Sequence, residues 1–296
     1  MNMKKSMFLA IFAMAVMISC KTGNSRESGA GLASGEDSAT VDSTAAEVSS
    51  DIHMDSLKTD TVSYEKTAGI LNVSLWAEYP VEGSDSLVKK VREFINDFMG
   101  GAYDGPLADG QKMIDENGIL MFNSLQEECG DVDEEDVHEL FLHKMVSKGF
   151  ETNTFVTFMA TSSSYTGGLH GIGHETGQTF SKANGQSFGY DMMKNTDSPA
   201  FKRLIKEGLK LFFGGEKEGK TMSDEDLLEE LVSYSGSADE LPLPDSEPYM
   251  TEGGITFIYQ PYEISYYAAG KPEFTIPYDA VKPYLKPQAI ELFLDK

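Results

Sequence analysis

Residues 254–278 read GITFIYQPYEISYYAAGKPEFTIPY. Ile255, Phe257 and Tyr259 alternate with other residues, Pro261 punctuates, and Tyr262, Ile264 and Tyr266 alternate again. Period-two spacing of this kind predicts two half-buried strands either side of Pro261. Phe274-Thr275-Ile276 predicts a short third strand, followed by a helical segment near residues 278–285. Strands that follow one another without an intervening helix point to antiparallel sheet rather than to repeated βαβ units.

Working outward, Ser198-Pro199 opens the most secure helix. Serine at the N-cap and proline at the first helical position both suit backbone amides that have no helical partner. Phe201, Leu204, Ile205, Leu209, Phe212 and Phe213 form its apolar stripe, and Gly214-Gly215 closes it. Ser223 caps a second helix through Leu227, Leu228, Leu231 and Val232. Phe155, Val156 and Phe158 in TFVTFMATSSSY predict a strand, whereas residues 137–147 fit a helix or a strand equally well. Residues 111–128 predict a helix broken at Gly118. Leu87, Val91, Phe94, Ile95 and Phe98 predict another, capped at Ser84 or Ser86 and stopped by Gly100-Gly101. Leu71, Val73, Leu75, Ala77 and Tyr79 predict a strand that ends at Pro80. The fold class is α+β: mostly antiparallel sheet packed with helices, in an N-terminal half over residues 67–160 and a C-terminal half over residues 161–296.

The N-terminus supplies an address. In MNMKKSMFLAIFAMAVMISC, Lys4 and Lys5 precede an apolar run over residues 7–18. That run is shorter than the roughly 20 residues that span a bilayer, and its flanks are those of a secretory signal. Ile18-Ser19-Cys20 fits the end of a bacterial lipobox, with Met17 where leucine is usual. Residues 1–19 are therefore expected to be removed and Cys20 to carry lipid, placing the chain in the cell envelope. Lys21 leaves inner and outer membrane both open. Residues 20–66, with SRESGAGLASGEDSATVDSTAAEVSSD, lack the apolar residues to form a core. They are expected to be a disordered tether with a reach of roughly 35–40 Å. Once Cys20 is acylated, Cys129 has no partner within the chain. Glu127 and Glu128 beside it would raise its thiol pKa, against a role as nucleophile.

The formal charge of −24 rises further in magnitude once Lys4 and Lys5 leave. A chain this acidic cannot bind nucleic acid through counterion release and is repelled by anionic lipid. It can attract a cationic partner.

Candidate chemistry is sparse. His170-Gly-Ile-Gly-His174-Glu175 offers two imidazoles and a carboxylate, the donor types of a zinc site. Gly171 and Gly173 oppose the helix that an i, i+4 histidine pair needs, so the expectation is a glycine-rich turn whose histidines bond to backbone. His138 and His143 add no spacing logic. No nucleophile elbow surrounds Ser162-Ser163-Ser164, which are expected in a polar loop. There is no phosphate-binding glycine loop and no C-x-x-C, and no cofactor is expected. Tyr259, Tyr262, Tyr266, Tyr267, Tyr278 and Tyr284 crowd one stretch with Pro261, Pro272, Pro277 and Pro283. Tyrosine gives rigid contact area at low entropic cost, so this crowd is either a core-closing face or a recognition surface for protein or sugar.

Tyr165-Thr-Gly-Gly-Leu-His170 resembles a Y-x-G-G-x-H signature, and residues 257–270 with Phe274-Thr-Ile-Pro-Tyr278 resemble the signature that closes the same domain. Thr179-Phe180, Asn184-Gly185, the Ser198 helix, Tyr79-Pro80 and Phe94-Ile95-Asn96 extend the match over most of residues 70–286. The chain thus resembles the extracytoplasmic domain of unknown function found in the lysozyme-sensing anti-sigma factor RsiV and beside some polysaccharide deacetylases. The resemblance turns residues 137–147 toward strand. It implies a non-enzymatic module binding a lysozyme-like cationic protein or a cell-wall glycan, with Tyr165, His170, Pro261, Tyr262, Tyr266 and Tyr267 as candidate binding positions and Gly167 and Gly168 as further family-typical ones. Neither a sigma-binding region nor a spanning helix nor a deacetylase domain is expected in this chain. The alternatives are a cell-wall hydrolase acting through His170, His174 and Glu175, with or without metal, and an envelope scaffold with no soluble ligand.

Overall fold

A computed structural model describes residues 56–129, 139–215 and 222–294. The expected signal segment, the expected lipidation site Cys20, the expected tether as far as residue 55 and His138 lie outside the described residues. Two sheets and their helices form an α+β fold within one compact unit. No helix among the described residues is long and apolar enough to cross a membrane.

The larger sheet has the order β1 (Lys58–Ala68), β2 (Leu71–Glu82), β3 (Leu140–Glu151), β4 (Phe155–Tyr165) and β5 (Ile172–Ser181). Gly69, at φ 58°, makes the tight turn between β1 and β2. All pairs in this sheet are antiparallel except β2–β3. A parallel neighbour needs a long crossover. Helices α1 (Asp85–Met99) and α2 (Gly110–Cys129) supply it and cover one face of the sheet. Val73, Leu75, Ala77 and Tyr79 point into that layer from β2. They meet the stripe Leu87, Val91, Ile95 and Met99 of α1 and Met113, Ile114, Phe122 and Leu125 of α2. The two helices are joined by a buried amide pair: Asn117 Nδ2 donates to Asn96 Oδ1 at 3.0 Å, and Asn96 Nδ2 donates to Tyr103 O at 3.1 Å.

The second layer comprises α3 (Pro199–Gly214), α4 (Asp224–Glu230) and a three-stranded antiparallel sheet of β6 (Tyr249–Met250), β7 (Gly254–Ile258) and β8 (Glu273–Pro277). A short α5 (Tyr278–Val281) follows. Ser198 caps α3 as expected, accepting from Phe201 N, and Ser223 caps α4. Phe201, Ile205 and Leu209 pack on Phe257, Phe274 and Ile276. The central strand β7 is buried on both faces.

Several expectations are corrected. The fold begins before residue 67: β1 occupies Lys58–Ala68, so the last part of the expected tether is a strand. Its sequence KTDTVSYEKTA is too polar to signal burial because it is an edge strand with mostly exposed side chains. A boundary between residues 160 and 161 would cut β4 in two, and the larger sheet runs through it. Pro80 does not end β2, which continues to Glu82. The β3 partner stops at Ala77, so beyond it the missing N–H of proline costs no ladder bond on that side. Gly118 does not break α2. A side chain there would run into the ring of Tyr64, so the glycine permits close packing of β1 on the helix. Ser162, Ser163 and Ser164 lie in β4, not in a loop. Tyr262, Ile264 and Tyr266 do not form a strand: residues 259–272 loop between β7 and β8. Residues 140–151 resolve as strand β3, and Cys129 is buried, which pushes its thiol up, with Glu128 adding to the effect.

The entry of the chain is clamped by Glu151. Its carboxylate accepts from Ser56 Oγ (2.8 Å), Leu57 N (2.7 Å) and Lys148 Nζ (3.0 Å), and pairs with the buried Lys182 at 2.6 Å. Burial alone would raise its pKa, but the hydrogen bonds, led by Lys182, outweigh it and hold the carboxyl at about 2.

Two outcomes follow. Gly118→Ala should destabilise the fold by about 1–3 kcal/mol in urea unfolding through overpacking against Tyr64. Helix propensity alone would predict a gain of about 1 kcal/mol. Because the folded pKa of Glu151 lies below its unfolded value of about 4.3, its stabilising contribution is present above that value and is lost as pH falls toward 2. The gap in urea midpoint between native chain and Glu151→Gln should therefore narrow from about pH 5 to about pH 2.

Candidate functional site

The β4–β5 hairpin ends in residues 166–171. Gly167 and Gly168 sit at φ 107° and 96°, a region that side chains rarely adopt. Tyr165 Oη donates to Gly168 O at 2.9 Å, which fixes the tip from within. At the apex, Leu169 is wholly exposed, with a relative accessibility of 102%. Ile172 beside it is also exposed.

Two segments far apart in sequence meet at this hairpin. His170 stacks on Tyr267 with ring centroids 3.9 Å apart and 16° between planes. Tyr262 lies 6.2 Å from His170 and 5.6 Å from Tyr267, centroid to centroid. His170 Nδ1 faces Gly171 O at 2.9 Å, and a carbonyl only accepts, so this nitrogen carries the proton of the neutral ring. Nε2 then accepts from Tyr262 Oη at 3.0 Å. Tyr267 Oη donates to Gly171 O at 2.8 Å. The result is an exposed aromatic step beside the apical leucine.

The β7–β8 loop is held to β5 by side chains that mimic a further strand. Gln260 accepts from Glu175 N (3.1 Å) and donates to Glu175 O (2.7 Å), while Lys271 Nζ pairs with the Glu175 carboxylate at 2.5 Å. Glu263 closes the turn: it accepts from Gln260 N at 2.7 Å and from Asp245 N at 2.6 Å. Burial pushes its carboxyl pKa up. Inside this clamp Tyr262 is held at φ 69°, a left-handed conformation that costs a tyrosine energy and is otherwise found, among the described non-glycine residues, only at Asn195.

Of the expected positions, the structure gathers Tyr165, His170, Tyr262 and Tyr267, with Pro261 in the clamped turn. Tyr266 points elsewhere, donating to Glu230 Oε2 at 3.0 Å. Tyr259 and Tyr278 belong to the core, where Tyr259 donates to Pro242 O and Tyr278 to Thr251 O; burial pushes the Tyr278 phenol up to about 12. His170, His174 and Glu175 do not converge: successive residues of β5 project to opposite faces and Glu175 is engaged by Lys271. Among the described residues no group of three His, Cys, Asp or Glu could hold a metal ion. The site residues not anticipated are Leu169, Gln260, Glu263 and Lys271. Leu169 stood inside the quoted Y-x-G-G-x-H stretch, and a large apolar residue after two glycines was the signal for it.

Residues 192–279 match a family described as "Protein of unknown function (DUF3298)". Among solved structures, a DUF3298 family member from Bacteroides fragilis is similar with TM-score 0.64 and 20% identity, over 80% of this chain and 97% of that one. A DUF3298 family protein from Pseudomonas aeruginosa PAO1 is similar with TM-score 0.52 and 15% identity, over 79% and 96%. At these identities the likeness is one of fold. No curated protein matches the chain.

If the clamp imposes the Tyr262 backbone, Tyr262→Gly should leave urea stability within about 1 kcal/mol of the native chain. Tyr262→Val should cost about 1–3 kcal/mol, since a β-branched residue tolerates φ 69° least.

Proposed function

We propose that this chain is a non-enzymatic binding module of the RsiV-like type, held in the cell envelope by lipid on Cys20, whose ligand is a cationic protein. The carrying observation is the hairpin tip, where a fully exposed Leu169 adjoins the stacked His170, Tyr267 and Tyr262. Leu169 adds apolar area next to these rings that a partner would cover. Hot spots in protein interfaces are rich in tyrosine, and Tyr262 and Tyr267 supply it here. The tip is pre-organised by Tyr165, Gln260 and Glu263, so little entropy remains to be lost on binding.

The partner's charge is argued from the chain's formal charge of −24, which steers cations and repels acids. A hydrolase acting through His170, His174 and Glu175 lacks support, because His170 is locked between Gly171 and Tyr262 and Glu175 is paired with Lys271.

The full-length chain should bind lysozyme at low ionic strength, measured by calorimetry, and the affinity should fall as salt is raised. Leu169→Ser and Tyr262→Ala should each weaken binding roughly tenfold or more. No binding at low salt, or affinity indifferent to both substitutions, would refute the reading.

A further inference from the structure

The face of the larger sheet opposite α1 and α2 is only half covered. At one end, Thr157 and Thr179 carry the second layer: their hydroxyls lie 2.7 Å apart, Thr157 Oγ1 donates to Met250 O, and Met250 N donates to Thr179 Oγ1. Farther along the same face of β4, Thr161 and Ser163 continue the hydroxyl row, next to Met145 and His143 of β3. There, among the described residues, no layer covers them. They border a groove of about 380 Å³, floored by β2–β5 and walled by Lys271 of the β7–β8 loop.

The groove has its own chemistry. Trp76, the only tryptophan in the chain, lies half-buried in it beside the exposed Met145. Among the described residues, no hydrogen bond engages the hydroxyls of Ser74, Thr161 and Ser163 or the indole N–H of Trp76. His143 is pre-oriented, its ring stacked on Phe141 at 4.6 Å and bonded to Asn72 Oδ1 at 2.7 Å. A chain with 48 acidic residues puts no carboxylate among those lining the groove, and its two lysines are both engaged: Lys271 is paired with Glu175, and Lys144 Nζ donates to Phe98 O at 2.7 Å.

We infer that this groove is a binding site for a neutral oligosaccharide, separate from the hairpin tip. A sugar ring has an apolar C–H face that packs on indole and thioether, and a rim of hydroxyls that pair with serine and threonine. The absence of lining carboxylates argues against a cationic occupant, which would find no counter-charge. The field of the acidic chain argues against an anionic one. The volume lies in the range of small-ligand clefts and matches one or two sugar rings rather than a folded partner.

The test is a titration of the full-length chain with chitotriose, read by Trp76 emission, which reports on the groove alone because no other tryptophan is present. The expected result is a saturable emission change that persists in high salt. The Thr161→Val/Ser163→Ala double variant, with an unchanged unfolding midpoint, should bind roughly tenfold more weakly, as two lost hydrogen bonds imply. Leu169→Ser should keep sugar binding while losing lysozyme, so that failure of one site leaves the other standing. No emission change at millimolar chitotriose overturns the inference. So does a response to galacturonate trimers only, full affinity in the double variant, or loss of sugar binding in Leu169→Ser.

Discussion

The two buried hydroxyls of Thr157 and Thr179 are the joint on which the architecture turns. Among the described residues the short strand β6 has a sheet neighbour only in β7, so the other side of its main chain would be buried without partners. Leaving such groups unpaired costs about 1–3 kcal/mol each. Thr157 and Thr179 satisfy both the N–H and the C=O of Met250, while Gly177 lets Tyr249 lie directly on β5. Polar side chains in the middle of an apolar interface thus specify where the second layer sits rather than simply how strongly it adheres.

That placement determines everything that is exposed. With β6 seated on one end of β4 and β5, the β7–β8 loop reaches the other end, where Gln260 and Lys271 engage Glu175. Tyr262 and Tyr267 then arrive beside His170, which lies 92 residues from Tyr262 in the chain. The uncovered remainder of the sheet becomes a groove. Both features are consequences of a single docking register, and a shift of one residue along β5 would turn Glu175 to the opposite face.

Elements that depend on local chemistry were legible. The Ser198-Pro199 start, the Ser223 cap, the Leu87–Phe98 stripe and the alternation of Leu71 through Tyr79 all express periodicity or capping within one element. The errors share a cause in the neighbours of each element. Pro80 is tolerated because β3 has stopped by then, Gly118 is required because Tyr64 lies on it, and β1 is a strand because β2 pairs with it despite its polarity. Tyr262, Ile264 and Tyr266 alternate like a strand, yet Glu263 between them folds back to close a turn. Of the site, residue types and the two signature stretches were visible; that Tyr266 would leave and Leu169 would stand exposed was not.

Composition, capping and short-range spacing were enough to establish an α+β chain, strongly acidic, with its helices located and its tyrosines concentrated in one stretch. These properties reside in single residues or in neighbours within a few positions, where sterics and hydrogen bonding act directly. Which tyrosines face water, which histidine they stack on, and which hydroxyls are left unpartnered depended on the tertiary structure. Those outcomes arise from contacts between residues up to 96 positions apart. They are selected by the need to satisfy a few buried polar groups at once, a condition that exists only when both layers are in place.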